Sequence, residues 1–299
     1  METTPTLVVF GGGGQLGRAL AALPPPLGWR RLDIPRDRAD ITDAAAVAAA
    51  LAGIEAGLVV NAAAFTAVDR AEAEAEAAFR VNRDGAANVA AAAAARGLAC
   101  LHVSTDYVFD GAKRAPYVET DATAPLSVYG ASKLAGELAV AQAASRHVIL
   151  RTSWLFGAEG RNFARTILGL ARCRDELGIV DDQLGCPTAA GDLAAAILAM
   201  APRLAEAPAG DPAFGLFHCC GDRPVTWYGF AQAVLAEAAA LGIKVARLRP
   251  ITTADYPLPA RRPPYSVLST TRLAAVHGID GLNWRRAVGE YVPRYLAEG

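Results

Sequence analysis

The chain has 299 residues, enough for one large α/β domain or two closely joined ones. Its 53% hydrophobic and 20% charged content excludes a disordered chain. A formal net charge of −1, with Lys and Arg spread along the sequence, argues against a nucleic-acid partner.

The N-terminal stretch "METTPTLVVFGGGG" has no basic leader region and runs straight into an apolar segment, so no signal peptide is expected. Residues 44–65 are mainly Ala and Gly, interrupted by Glu55, and predict a helix and a strand rather than a membrane span. Five cysteines (100, 173, 186, 219 and 220) form no C-x-x-C pair, and four histidines show no H-x-x-x-H spacing. Reduced, mostly buried thiols in a cytoplasmic protein, with no metal site, are the expectation.

Apolar, β-branched runs predict strands at 6–11, 29–34, 57–62, 98–105 and 147–154, and Ala-rich stretches predict helices near 15–23, 43–53, 69–79, 84–96 and 129–144. Strands with few polar interruptions, alternating with helices, predict a parallel sheet covered on both faces. That is a doubly wound, Rossmann-type α/β fold with right-handed crossovers. After residue 155 the alternation loosens into turn-rich segments, "DDQLGCPT" (181–188), "CCGDRPVTW" (219–227) and "YPLPARRPPYS" (256–266). The expected division is a dinucleotide-binding domain over 1–155 and a smaller C-terminal α/β substrate region over 156–299. The boundary is soft, because helix 191–200 is expected to pack back on the first domain.

Candidate chemistry follows the strand ends. The first strand runs into Gly11-x-x-Gly14-x-x-Gly17, a turn in which glycines admit a pyrophosphate close to backbone N–H groups. Asp33, at the end of the second strand, is placed to accept from a ribose hydroxyl. Ser104 and Thr105 bring hydroxyls to the end of the fourth strand, on the side where parallel sheets bind ligands. Tyr129 and Lys133, at i and i+4 near a helix start, share one helix face. A cation beside a phenol favours phenolate, so Lys133 is expected to lower the Tyr129 pKa from its reference of about 10. Glu72, Glu74 and Glu76 alternate with Ala and are expected on a solvated helix face.

Together these segments resemble the extended short-chain dehydrogenases/reductases and, more closely, the dTDP-4-dehydrorhamnose reductases. The blocks "GGGGQLG" (11–17), "VVNAAAFTAVDRAE" (59–72), "STDYVFDG" (104–111), "ETDATAPLSVYGASKLAGE" (119–137), "RTSWLFG" (151–157), "DDQLGCPT" and "ARRPPYS" (260–266) resemble that family in order and cover almost the whole chain. The resemblance implies reduction of the C4 keto group of dTDP-4-dehydro-L-rhamnose by NADPH or NADH, the last step of dTDP-rhamnose biosynthesis. It implies Tyr129 as proton donor, Lys133 as the cation at the nicotinamide ribose, and Thr105 on the carbonyl oxygen. Gly11, Gly14, Gln15, Leu16 and Gly17 would meet the pyrophosphate, Asp33 the adenosine ribose, and Asp40 and Ile41 the adenine. Ala64, Phe65 and Thr66 would line the nicotinamide side; the family's usual His stands here as Phe65. Asp106, Trp154 and Arg262 would contact substrate, Arg262 or Arg261 at the diphosphate. Asp33 repels a 2′-phosphate while Arg30, Arg31, Arg36 and Arg38 attract one, so the sequence leaves the two cofactors open.

Three alternatives stay open at this point: a related ketosugar reductase of other stereochemistry, a nucleotide-sugar dehydratase, and a non-catalytic reductase-like regulatory subunit. Dehydratases of this type resemble one another in an Asp-Glu pair after the strand-end Thr. Here Thr105 is followed by Asp106 and Tyr107, which disfavours elimination. The resemblance implies a nucleotide-sugar substrate, no membrane partner, and a monomer or homodimer.

Overall fold

The computed structural model describes residues 4–297. Six strands form one sheet: β1 (Thr6–Phe10), β2 (Arg30–Ile34), β3 (Gly57–Asn61), β4 (Ala99–Thr105), β5 (His147–Thr152) and β6 (Gly215–His218). Every pairing is parallel, in the order β6-β5-β4-β3-β1-β2. The inner strands β1 and β3 are buried along their whole length, as apolar runs in a doubly covered sheet should be. Successive side chains of β1 serve opposite faces. Leu7 and Val9 join one core with α1 (Gln15–Ala21) and a long C-terminal helix, Ala190–Glu206. Val8 and Phe10 join the other core, beneath α2 (Ala44–Ala50), α3 (Ala86–Ala95) and α4 (Val128–Ala143).

The five N-terminal strands stand where the apolar runs predicted them, with ends trimmed by up to two residues. The fifth stops at Thr152 rather than 154 because Trp154 adopts a left-handed backbone, φ +47°. The predicted helix at 69–79 is broken into Val68–Ala73 and Ala75–Phe79, which lead into a π-helical turn at Arg80–Gly85. Glu72 is exposed, as expected of a solvated face, and also accepts the Val128 N–H at 2.9 Å in the first turn of α4. Ser127 caps the same helix, accepting from Gly130 N at 3.1 Å.

Beyond residue 155 the chain contributes to both parts of the molecule. Strand β6 extends the main sheet, and helix Ala190–Glu206 packs on α1. The remainder forms a second core from helices Phe163–Cys173, Trp227–Ala240 and Trp284–Ala297 with a parallel pair, Glu176–Val180 and Arg247–Ile251.

One buried ion pair fixes α4 on the sheet. Arg151 of β5 makes two bonds to Glu137 of α4, Nε to Oε1 at 2.9 Å and a terminal nitrogen to Oε2 at 2.6 Å. Ser104 of β4 donates to the same Oε1 at 2.5 Å. Both charged side chains are about 5% exposed or less. Removing one partner leaves a buried charge uncompensated. Arg151→Met is therefore expected to cost about 3–5 kcal/mol in urea unfolding. A loss under about 1 kcal/mol would show that the pair does not anchor the helix.

Candidate active site

The strand order changes direction between β1 and β3, and a crevice opens at their carboxyl ends. There lies a cleft of about 700 Å³ whose lining includes Gly11, Gly14, Gln15, Leu16, Asp40, Ile41, Ala64, Phe65, Thr66, Thr105, Asp106, Tyr129, Lys133 and Trp154. Gly17, Asp33 and Arg262 are not among the lining residues.

Close backbone approach shapes the glycine turn. Gly11 has φ +81°, and a Cβ there would meet Ala63 N at 2.6 Å. Gly17 lies on the buried face of α1, and its Cβ would lie 2.4 Å from Gly11 O. Gly17 thus acts by seating α1 against the turn, not by forming cleft wall. Asp33 lies behind the turn, its Cβ 3.1 Å from where a Gly12 side chain would begin. Its Oδ2 pairs with Arg31 Nε at 3.1 Å, while its buried Oδ1 has no hydrogen-bond partner. Such an acceptor fits a ribose hydroxyl. Of the four nearby arginines, Arg36 lines the cleft and pairs with Asp40 at 3.0 Å.

On the opposite wall the loop after β3 is clamped by Asn82, from the π-helical turn. Phe65 N donates to Asn82 Oδ1 at 2.8 Å, and Asn82 Nδ2 donates to Phe65 O at 3.1 Å and Ser132 Oγ at 2.9 Å. The Phe65 ring lies under the Arg70 guanidinium, 4.8 Å from its centroid.

Tyr129, Lys133, Thr105 and Asp106 meet at the end of β4. Thr105 lies within hydrogen-bonding reach of the Tyr129 phenol and donates to Asp106 Oδ1 at 3.1 Å. Asp106 Oδ2 has no hydrogen-bond partner, and burial pushes its carboxyl up to about 7. The expected electrostatic effect of Lys133 on Tyr129 is corrected by the structure. Burial pushes the phenol up to about 12, and no Lys133 contribution offsets it. The Lys133 side chain points instead into the sheet, with Nζ donating to Val103 O at 2.7 Å and lying 3.1 Å from His102 Nε2. Burial brings Lys133 itself down to about 8, against the pull of Glu137.

Trp154 also lines the cleft. Its ring stacks on Trp227, centroids 3.4 Å apart and planes 6° from parallel. A Cβ on Gly185 would run into the Trp154 ring at 2.6 Å, so a glycine there makes room for it. Arg262 is bound to Asp69 by two bonds of 2.8 and 3.0 Å and lies beside Tyr107. Tyr107, where the dehydratase pattern carries Glu, meets Tyr129 edge to face at 6.0 Å. Sequence reasoning missed Asn82, Trp227, His102 and the Glu137–Arg151 pair, none of which carries a local motif. The one local clue was a polar "VNRDG" segment interrupting Ala-rich helix. Among the described residues, no cluster of His, Cys, Asp and Glu is arranged to hold a metal.

A family model described as RmlD substrate binding domain matches residues 5–297. A dTDP-4-dehydrorhamnose reductase of Sinorhizobium fredii is 42% identical over 293 residues, covering 98% of each chain. The crystal structure of a dTDP-4-dehydrorhamnose reductase from Clostridium acetobutylicum superposes with a TM-score of 0.88 at 34% identity, covering 98% of this chain and all of that one. A Bacillus anthracis dTDP-4-dehydrorhamnose reductase in complex with NADP superposes with a TM-score of 0.87 at 30% identity, covering 99% and 100%.

The glycine turn yields a paired prediction. A methyl at Gly17 meets only backbone, whereas one at Gly13 meets nothing within 4 Å. Gly17→Ala should lower stability by about 1–3 kcal/mol and weaken dinucleotide binding, because α1 must move off the turn. Gly13→Ala should leave both near wild type. Equal dinucleotide affinities by calorimetry for the two variants would remove the close-approach role of Gly17.

Proposed function

This chain belongs to the dTDP-4-dehydrorhamnose reductase family, and from that membership we propose that it reduces the C4 keto group of dTDP-4-dehydro-L-rhamnose to give dTDP-L-rhamnose. It is a nicotinamide-dependent oxidoreductase. The observation that supports this reading most is the meeting of Tyr129, Thr105 and Lys133 at one end of a cleft whose other end is a glycine turn. The residues present fit a dinucleotide: close backbone approach at Gly11 and Gly17, and an unpartnered buried oxygen on Asp33. Gly14, Gln15 and Leu16 would hold its pyrophosphate, Asp33 its adenosine ribose, Asp40 and Ile41 its adenine, and Ala64, Phe65 and Thr66 its nicotinamide side. When bound, the reduced nicotinamide supplies a hydride to the ketone carbon.

The chain's own residues do the rest. A phenol held near 12 keeps its proton at neutral pH, as an acid must before the carbonyl oxygen takes on negative charge. Tyr129 gives that proton to the oxygen, and Thr105 orients it. Asp106 Oδ2 offers an acceptor to a sugar hydroxyl, and the Trp154 ring packs on the apolar side of the deoxysugar. Arg262, half-enclosed by Asp69 and Tyr107, serves the substrate side through that network. Of the cleft's lining residues Arg161 alone lies after 155, so the region over 156–299 would serve the substrate through Arg262 and by backing Trp154 with Trp227. The proposed substrate and cofactors are soluble, and no helix of the described residues is long and apolar enough to cross a membrane. We place the activity in the cytoplasm.

The test is turnover of a 4-keto-6-deoxy nucleotide sugar with each nicotinamide. One NAD(P)H should be oxidised per sugar reduced, and dTDP-glucose with NAD⁺ should be left unchanged. Conversion of dTDP-glucose without net reduction would place the chain among dehydratases. Tyr129→Phe should keep cofactor affinity and lose at least about 10²-fold in kcat; turnover within threefold of wild type would take Tyr129 out of the mechanism.

A further inference from the structure

Behind Lys133, His102 of β4 is fully buried between two partners. Its Nε2 is 3.1 Å from Lys133 Nζ, and its Nδ1 is 3.1 Å from Asn61 Nδ2, at the end of β3. Proton accounting along this row leaves one consistent solution. Ala63 N–H can only donate, and it does so to Asn61 Oδ1 at 3.1 Å, which fixes the orientation of the amide. Asn61 Nδ2 therefore faces the imidazole and can only donate. His102 Nδ1 must accept, so a neutral ring carries its proton on Nε2, facing Lys133. An ammonium has no lone pair to receive that proton.

We propose that His102 is a positioning residue that controls the charge of Lys133: in the arrangement observed, Nε2–H donates to the Lys133 amine. Taking up a proton at Nζ then requires the imidazole proton to pass from Nε2 to Nδ1 and Asn61 to release Ala63. Lys133 becomes cationic only at the cost of rearranging this row. The charges around it do not supply an alternative. Glu137, one turn along α4, is already paired with Arg151 of β5 and Ser104 of β4. Tyr129, one turn before, is an uncharged phenol at neutral pH, and Asp106 at the end of β4 lies against Thr105 and Ser266. Burial acts in the same direction on both partners, lowering Lys133 and holding His102 well below the ordinary imidazole range. This deepens the proposed reductase function, in which family resemblance gives Lys133 a place at the nicotinamide ribose, and rests on that reading.

The chain has three lysines, 113, 133 and 244, so lysine ¹³Cε labelling of the full-length protein gives three signals, with Lys133→Met assigning the buried one. Lys133 is expected to titrate about two units or more below Lys244. Asn61→Asp keeps an acceptor for Ala63 N–H and turns a second acceptor toward His102 Nδ1. The ring should then carry its proton on Nδ1, accept from an ammonium, and raise the Lys133 midpoint by about one unit or more. The added carboxylate also acts through space, so most of that rise should vanish in Asn61→Asp/His102→Phe. Co-titration of Lys133 with Lys244 in wild type overturns the proposal, as does a rise that persists without the imidazole. If either variant fails to fold, the ¹⁵N spectrum of histidine-labelled wild type decides: His102 protonated at Nε2 supports the proposal, and protonation at Nδ1 overturns it. None of these readouts uses turnover, so their failure is distinct from failure of the reductase assignment.

Discussion

Helix α4 drives a polar stripe into the core, and the rest of the site is built around satisfying it. Ser132, Lys133 and Glu137 are each at most 4% exposed, on a helix packed against β4. A buried ionisable group without partners would cost several kcal/mol. Each therefore draws a counterpart from another element: Asn82 for Ser132, Val103 O and His102 for Lys133, Arg151 and Ser104 for Glu137. Those bonds leave α4 little freedom to rotate or slide. Tyr129, one turn before Lys133, is carried to the end of β4 by the same constraint.

The cleft inherits its other wall from sheet topology. Parallel strands β1 and β3 send their following loops apart, and the glycine turn and the 62–66 loop become the two sides of one crevice. Asn82 then ties the second loop back to α4 through Ser132, so the 62–66 loop and the helix that carries Tyr129 are parts of one hydrogen-bonded frame. The π-helical turn that presents Asn82 is a local departure from regular helix of the kind often found beside functional sites. Gly136 permits the approach, since a Cβ there would meet Asn82 O at 2.1 Å.

Local patterns carried most of the fold and the outline of the site. The first five strands were legible as short, largely apolar or β-branched runs between Ala-rich helices, with β2 (RRLDI) the most polar of them, and the Gly turn because only glycine permits that backbone contact. Strand β6, "GLFH", is four residues long amid turn formers, and its pairing with β5 depends on residues more than sixty apart. The pair 176–180 with 247–251 was hidden by its charges and Pro250. Spacing correctly put Tyr129 and Lys133 on one helix face. It gave the wrong sense for the phenol, because desolvation and the direction of the Lys133 side chain depend on β4 and β3, which no local motif reports. Trp154 was legible as a cleft residue; its partner Trp227, 73 positions later, was not.

The central claim is that this cleft delivers a hydride to the sugar C4 while Tyr129 protonates the oxygen. Isotope tracing tests it most directly: incubate the chain with a 4-keto-6-deoxy dTDP-sugar and NAD(P)H deuterated at the transferable nicotinamide position. The account predicts one deuterium at C4 of the reduced sugar and none elsewhere. Deuterium at C6, or retained on the nicotinamide while the sugar is converted, would contradict it.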